Sequence, residues 1–313
     1  MLEDLAAAKR PREMLVTPLH YSAALSKALH CELYLKCEHL QTTGSFKYRG
    51  AATKLRILGA QAANGVITAS TGNHGQAVAL AGRLAGVDVT VYAGVNASPT
   101  KLDAIRAYGA KLVLLDDSSL AIELQARADA QAQGKPYVAP YNDAEVIAGQ
   151  GTIGVELLEQ APPLDFVFIA VGGGGLISGV GAFLKSKHPG TSIIGCWPEI
   201  APSLKVALDA GHIVDVDEGD TISDGTAGGI EPGSITLDIC RQVIDQTVLV
   251  SETAIKRAMR DIASAERWMV EGAAGVAFAA AQKMRSRIEG KNVAVVLCGR
   301  NIALDKFIAA VAP

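Results

Sequence analysis

Aromatic residues are few in this chain of 313 residues, two Trp, six Phe and seven Tyr. The interior must therefore be built from Ala, Val, Ile, Leu and Gly. Because 49% of the residues are apolar, core material is not short, and small or β-branched side chains suit helices packed closely on a parallel sheet. An excess of one charge is also missing, since 29 Lys and Arg face 32 Asp and Glu for a net charge of −3. The cations are scattered, which excludes the basic face that nucleic-acid binding requires and leaves a small molecule as the expected partner. No apolar run has the roughly 20 residues of a membrane-spanning helix, and the amino-terminal stretch has no signal-peptide core. No membrane partner and a cytoplasmic location are the expectations. Five cysteines, an odd number without CxxC spacing, exclude a disulfide framework and suit a reducing compartment.

The length exceeds what one hydrophobic core usually serves, which favours two domains. From Val66 onward, short β-branched runs alternate with helical stretches near residues 76–85, 99–108 and 120–132. This alternation predicts a parallel sheet with crossover helices. Ser98 followed by Pro99 marks a helix start. An Ala- and Gly-containing stretch at residues 147–156 reads as a bridge to a second series of strands and helices, which includes a helix at 176–187 and a last strand ending near Leu297. The expected class is thus α/β, with two parallel-sheet units sharing a cleft at the carboxyl ends of their strands.

Four segments carry chemistry. In Gly44-Ser45-Phe46-Lys47-Tyr48-Arg49-Gly50-Ala51, a lysine between two aromatic residues can have its pKa depressed by desolvation, as a Schiff-base lysine requires; taken alone it is also an ordinary surface lysine. Ser70-Thr71-Gly72-Asn73-His74 lies between a strand and a helix, where backbone N–H groups form an anion site for a carboxylate, although a well-capped turn has the same composition. Gly172, Gly173, Gly174 and Gly175 precede Leu176 at another strand-to-helix junction and allow the backbone to wrap a phosphate. Neither the GxGxxG fingerprint nor a P-loop ending is completed there, which disfavours a nicotinamide dehydrogenase. Leu297-Cys298-Gly299-Arg300-Asn301 ends the last strand, and Cys298 alone reads as a small buried residue.

Taken in order, the four motifs resemble the fold type II pyridoxal 5'-phosphate (PLP) enzymes, related to tryptophan synthase β, and specifically the serine/threonine dehydratase and serine racemase branch. They are also similar to the dehydratases of hydroxyectoine utilization. The resemblance implies two open parallel-sheet domains with the active site in the cleft between them, a large domain of residues 1–50 and 144–313 and a small one of 51–143. It implies that Lys47 binds PLP and acts as the base at the substrate Cα, and that Phe46 packs near the ring. By the same resemblance Asn73 would meet the ring hydroxyl, Gly172, Gly173, Gly174, Gly175 and Leu176 would hold the phosphate, and Cys298 would face the ring nitrogen. Ser70, Thr71, Gly72, Asn73 and His74 would take the substrate carboxylate, while Tyr141, Asn142 and the segment from Asp224 are expected near its β-carbon. The activity so implied is β-elimination from a small L-hydroxy amino acid, threonine or serine, giving a 2-oxo acid and ammonia in a homodimer or homotetramer.

The alternatives are racemization, β-replacement and dehydration of a more specialised substrate such as 3-hydroxyaspartate, for whose second carboxylate Arg300 is a candidate partner. Thr71 stands where the racemases of the family carry a serine. Trp197 stands where its divalent-cation site has a glutamate, so no metal is expected, with Glu199 as the one shifted candidate. The chain ends soon after the catalytic fold, and no appended regulatory domain is expected.

Overall fold

The computed structural model describes residues 14–70 and 72–312; Thr71 lies outside them. Among the described residues, nine strands form two sheets. The larger is built from β1 (Leu19–Tyr21), β2 (Glu32–Lys36), β6 (Phe166–Ala170), β7 (Ser192–Pro198), β8 (Gln246–Val250) and β9 (Asn292–Val296), in the order β1-β2-β9-β6-β7-β8. The smaller contains β3 (Val66–Ala69), β4 (Val89–Gly94) and β5 (Lys111–Leu115) in sequential order. All pairings are parallel except β1 with β2. That edge is antiparallel because the short connection from Ser22 to Cys31 is too brief for a parallel crossover. The large sheet is therefore mixed, an edge not foreseen in the expectation of purely parallel units.

The strand order sets up the site. The final strand returns to the middle of the large sheet and pairs with β6 in the register Phe166↔Val293, Val167↔Ala294 and Phe168↔Val295. The loops beyond β6 and β9 consequently emerge side by side, placing the glycine segment next to Cys298. Ladders of Val, Ile, Phe and Ala are buried on both faces of these central strands, as covered parallel sheets require. A second core forms where Tyr48, Ala51 and Leu55 of the helix Lys47–Leu58 pack with Ala77, Val78 and Val91 beside the smaller sheet.

The stretch 147–156, expected to be a bridge, lies within the helix Ala144–Gln160, capped by the Asp143 carboxylate. Three glycines lower its intrinsic helix propensity, and tertiary packing overrides that preference. A Cβ at Gly149 would come within 2.6 Å of the Arg49 carbonyl oxygen, and one at Gly50 within 2.3 Å of Gln150 Nε2. These absences let the two helices touch through their backbones.

Between these helices and β2 lies a buried charged cluster. Arg49 donates to both oxygens of Glu38, each at 2.7 Å, and to both oxygens of Glu156 at 2.8 and 2.9 Å. Lys36 Nζ reaches Glu156 at 2.6 Å and also donates to Thr17 O and Gln160 Oε1, each at 2.8 Å. All four charged side chains are fully buried. Two cations and two carboxylates leave the cluster neutral, which makes burial sustainable.

Candidate active site

Lys47 opens the helix Lys47–Leu58. Phe46 N–H donates to Cys298 O at 3.0 Å, and Ser45 bridges to Gly299, so the turn before the lysine is fastened to the end of β9. Arg49, two residues later, is locked in the buried cluster. Lys47 Nζ donates to Pro140 O at 2.7 Å and lies 5.3 Å from the Phe46 ring centroid. Burial pushes its pKa down to about 8, against the opposing pull of Glu123, Cys298 and Glu271.

The lysine faces a cavity of about 420 Å³ that is also lined by Phe46, Ser70, Gly72, Asn73 and His74, by all four glycines, and by Leu176 and Cys298. That size lies within the range of small-molecule and cofactor pockets. Gly174 adopts φ +87° and caps the helix Gly175–Lys187, whose first N–H groups have no partners within the helix and suit an anion. The loop also threads between two neighbours. A Cβ on Gly173 would fall 2.3 Å from the Tyr141 ring, and one on Gly172 3.0 Å from Thr226 Cα.

Across the cleft, Ser70 Oγ accepts a hydrogen bond from Gly72 N at 3.1 Å, and Asn73 begins the helix Asn73–Ala85. Asn73 Nδ2 donates to both oxygens of Glu271, at 2.9 and 3.0 Å, while its Oδ1 accepts from Asn301 Nδ2 at 2.6 Å. An amide nitrogen carries two N–H bonds, so one can serve Glu271 while the other serves a ligand. The buried His74 ring donates from Nε2 to Val138 O at 3.0 Å. Burial, reinforced by Lys47, pushes its pKa down to about 3, so the imidazole is neutral and turned toward Val138 O. The Cys298 thiol is raised well above its ordinary pKa by burial and then by Glu271, whose Oε1 lies 3.9 Å from Sγ. A neutral group therefore occupies that position.

Three carboxylates that line the cavity, Asp117, Glu123 and Glu271, were missed in the sequence. Glu271 precedes the apolar helix Gly272–Lys283, and its buried carboxyl is raised to about 7, chiefly by burial. A lone acid against a long run of small apolar residues was the available signal. Glu123, on the helix Ser119–Ala132, stands between Ile122 and Leu124 with no local motif to mark it, and only the fold directs it into the cavity. Tyr141 and the segment from Asp224 also line the cavity. Asn142 instead binds Glu231 Oε2 through Nδ2 and Ile235 N–H through Oδ1. Arg300 is exposed and packs against Gly44, outside the cavity lining, so the site gains no additional cation from it. Glu199 faces Lys283 at 3.7 Å, and no three metal-ligating side chains converge among the described residues.

A desolvated lysine, a glycine loop at a helix N-terminus and a neutral thiol at the end of the adjacent strand together fit PLP. Family comparison gives the same class: residues 12–299 match the pyridoxal-phosphate dependent enzymes, and the chain belongs to that family. Among individual proteins it is similar to the L-threonine ammonia-lyase of Thermotoga maritima, 38% identical over 97% of this chain and 76% of the relative. It is 32% identical to the serine racemase of Schizosaccharomyces pombe, over 93% of this chain and 90% of that one. The processed form of threonine deaminase isoform 2 from Solanum lycopersicum superposes with a TM-score of 0.92 at 36% identity, covering 99% of this chain and 91% of that structure. The fold type II resemblance thus extends over the whole molecule.

One substitution tests the glycine loop. Inserting a methyl group into a closed contact costs about 1–3 kcal/mol, so Gly173→Ala, pressed against Tyr141, is expected to weaken PLP binding by roughly 10- to 100-fold. Fluorescence titration of the apoenzyme measures this, and an unchanged dissociation constant would place the phosphate elsewhere.

Proposed function

We propose that this chain removes the β-hydroxyl of L-threonine or L-serine and releases a 2-oxo acid and ammonia. The observation that carries the reading is Lys47, held in a cavity with its amine pKa lowered to about 8 and faced by the glycine loop and Cys298. Bound PLP supplies the electron sink for charge developing at Cα. Lys47, once free as the neutral amine, takes the Cα proton. Backbone N–H groups between Ser70 and His74 orient the carboxylate, and the uncharged Cys298 thiol offers the ring nitrogen no anion. The walls from the two sheets exclude water from the reacting bonds.

Identity to the threonine ammonia-lyase at 38% supports this reading. The test is to mix PLP-loaded protein separately with L-serine, L-threonine and L-threo-3-hydroxyaspartate and follow oxo acid. Turnover of threonine or serine is expected; bound cofactor without oxo acid from either would sink the reading. Racemization is the second reading, favoured by the 32% identity to a serine racemase, and D-serine accumulating faster than pyruvate would replace the first reading with it.

The domain division at 51–143 is supported by the membership of β3, β4 and β5, although the helix Lys47–Leu58 crosses the first boundary. We also infer a cytoplasmic homodimer or homotetramer. Leu304 and Ile308, exposed one turn apart on the helix Leu304–Val311, offer an apolar face for subunits to bury.

A further inference from the structure

The charges lining the cavity are not balanced. Among the described residues that line it, the strongly basic side chains are Lys47 and Lys101, against four carboxylates, Asp117, Glu123, Asp224 and Glu271. Lys101 forms an ion pair with Asp224 across the cleft, and Lys47 is reserved for the cofactor. Glu271 is held by Asn73 and by the Asn301 N–H, and Asp117 accepts from Ser118 N–H. Arg127, one turn after Glu123 on the same helix, is engaged elsewhere. Its guanidinium pairs with Glu231 at 2.7 Å and stacks 4.6 Å from the Tyr137 ring.

Glu123 thus presents a carboxylate to the cavity with its neighbouring arginine already taken. Its wall faces the segment expected around the β-carbon, since Leu120, on the same turn of helix, lies 3.2 Å from where a Cβ of Gly229 would stand. Burial raises the Glu123 carboxyl to about 7, with Lys47 and Arg127 opposing and Glu231 reinforcing the rise. At pH 8 the group is an anion in a poorly hydrated wall.

Resting on the elimination reading, we propose that Glu123 is a specificity residue: it accepts hydroxyl or cationic side chains on the amino-acid substrate and rejects a second carboxylate. A hydroxyl or ammonium donates to it, whereas a side-chain carboxylate meets a like charge where water screens weakly. This excludes 3-hydroxyaspartate as the preferred substrate and leaves threonine and serine.

The experiment uses PLP-loaded protein at pH 8 and three amino acids without a leaving hydroxyl, namely L-asparagine, its anionic isostere L-aspartate and cationic L-2,4-diaminobutyrate. Binding is read from the change in cofactor absorbance. The wild type is expected to bind asparagine and diaminobutyrate at least about tenfold more tightly than aspartate, the order expected for one uncompensated like charge at low effective dielectric. Glu123→Gln is expected to bring the asparagine-to-aspartate ratio close to one, and Glu123→Asp to restore it. A wild type that binds aspartate as well as asparagine overturns the proposal whatever the variants do. So does a Gln variant that leaves the ratio unchanged or shifts all three ligands equally. If this binding pattern is found while threonine and serine yield no oxo acid, the elimination reading falls and the charge filter stands.

Discussion

Replacing Lys47 with alanine is expected to lower oxo acid formation by about 10³- to 10⁴-fold, the upper part of the range for losing a positioned general base, and to remove the covalent attachment of the cofactor. Mass spectrometry after borohydride reduction reads the attachment; rapid oxo acid assays read the rate. The pH behaviour provides an independent check. The amine must be neutral to accept a proton, and its pKa is lowered to about 8 because burial disfavours the cation. Activity limited by this group should therefore rise with pH and level off above about 8. The sign for stability follows from the same shift. Between about 8 and the ordinary 10.5, the unfolded apoprotein binds more protons than the folded one, so folding becomes more favourable as pH rises through that window. Lys47→Ala apoprotein should lose this rise, and denaturant titrations at pH 7.5 and 10.5 would detect it. An unchanged rise would assign the titration to another group.

The lysine was legible in the sequence because its signals are local: aromatic neighbours on either side, a glycine run after a strand, and a polar turn between a strand and a helix. Alternating strands and helices gave the α/β class for the same reason. What escaped the sequence depends on long-range packing. The helix Ala144–Gln160 was hidden because its glycines read as a bridge until Gly50 and Arg49 were found pressed against them. The strands β1 and β2 precede the alternating pattern, and β2 carries Lys36, a charge in a position that only a partner more than a hundred residues away makes tolerable. Arg300 looked like a ligand by its place after Cys298, yet the turn that delivers the cysteine points the arginine to solvent. Glu123 and Glu271 were missed conversely, since each becomes a site residue only when the two sheets face one another.

The buried cluster behind the lysine should have the largest effect on stability. Glu156→Ala leaves Lys36 and part of Arg49 uncompensated, and breaking one partner of a buried pair typically costs about 3–5 kcal/mol, a large share of the roughly 5–15 kcal/mol that holds a domain folded. Urea unfolding should show this as a lower midpoint, and a loss below about 1 kcal/mol, the level of an exposed pair, would mean that water reaches the cluster. Burial alone would raise the Glu156 pKa, but Arg49 and then Lys36 outweigh it and hold the carboxyl below its ordinary value. Its contribution is therefore complete above the unfolded carboxylate range near 4.5 and is lost as pH falls through the lower folded value. The variant should accordingly lack part of the wild type's acid-induced destabilisation. The effect should also reach chemistry. Arg49 fixes the first turn of the helix that Lys47 opens, so a loosened guanidinium allows the amine to leave Pro140 O. Glu156→Gln, which keeps the shape and one acceptor while removing the charge, should then lower kcat more than it raises KM for threonine at a temperature where the protein remains folded, whereas a purely structural role would leave the folded fraction fully active.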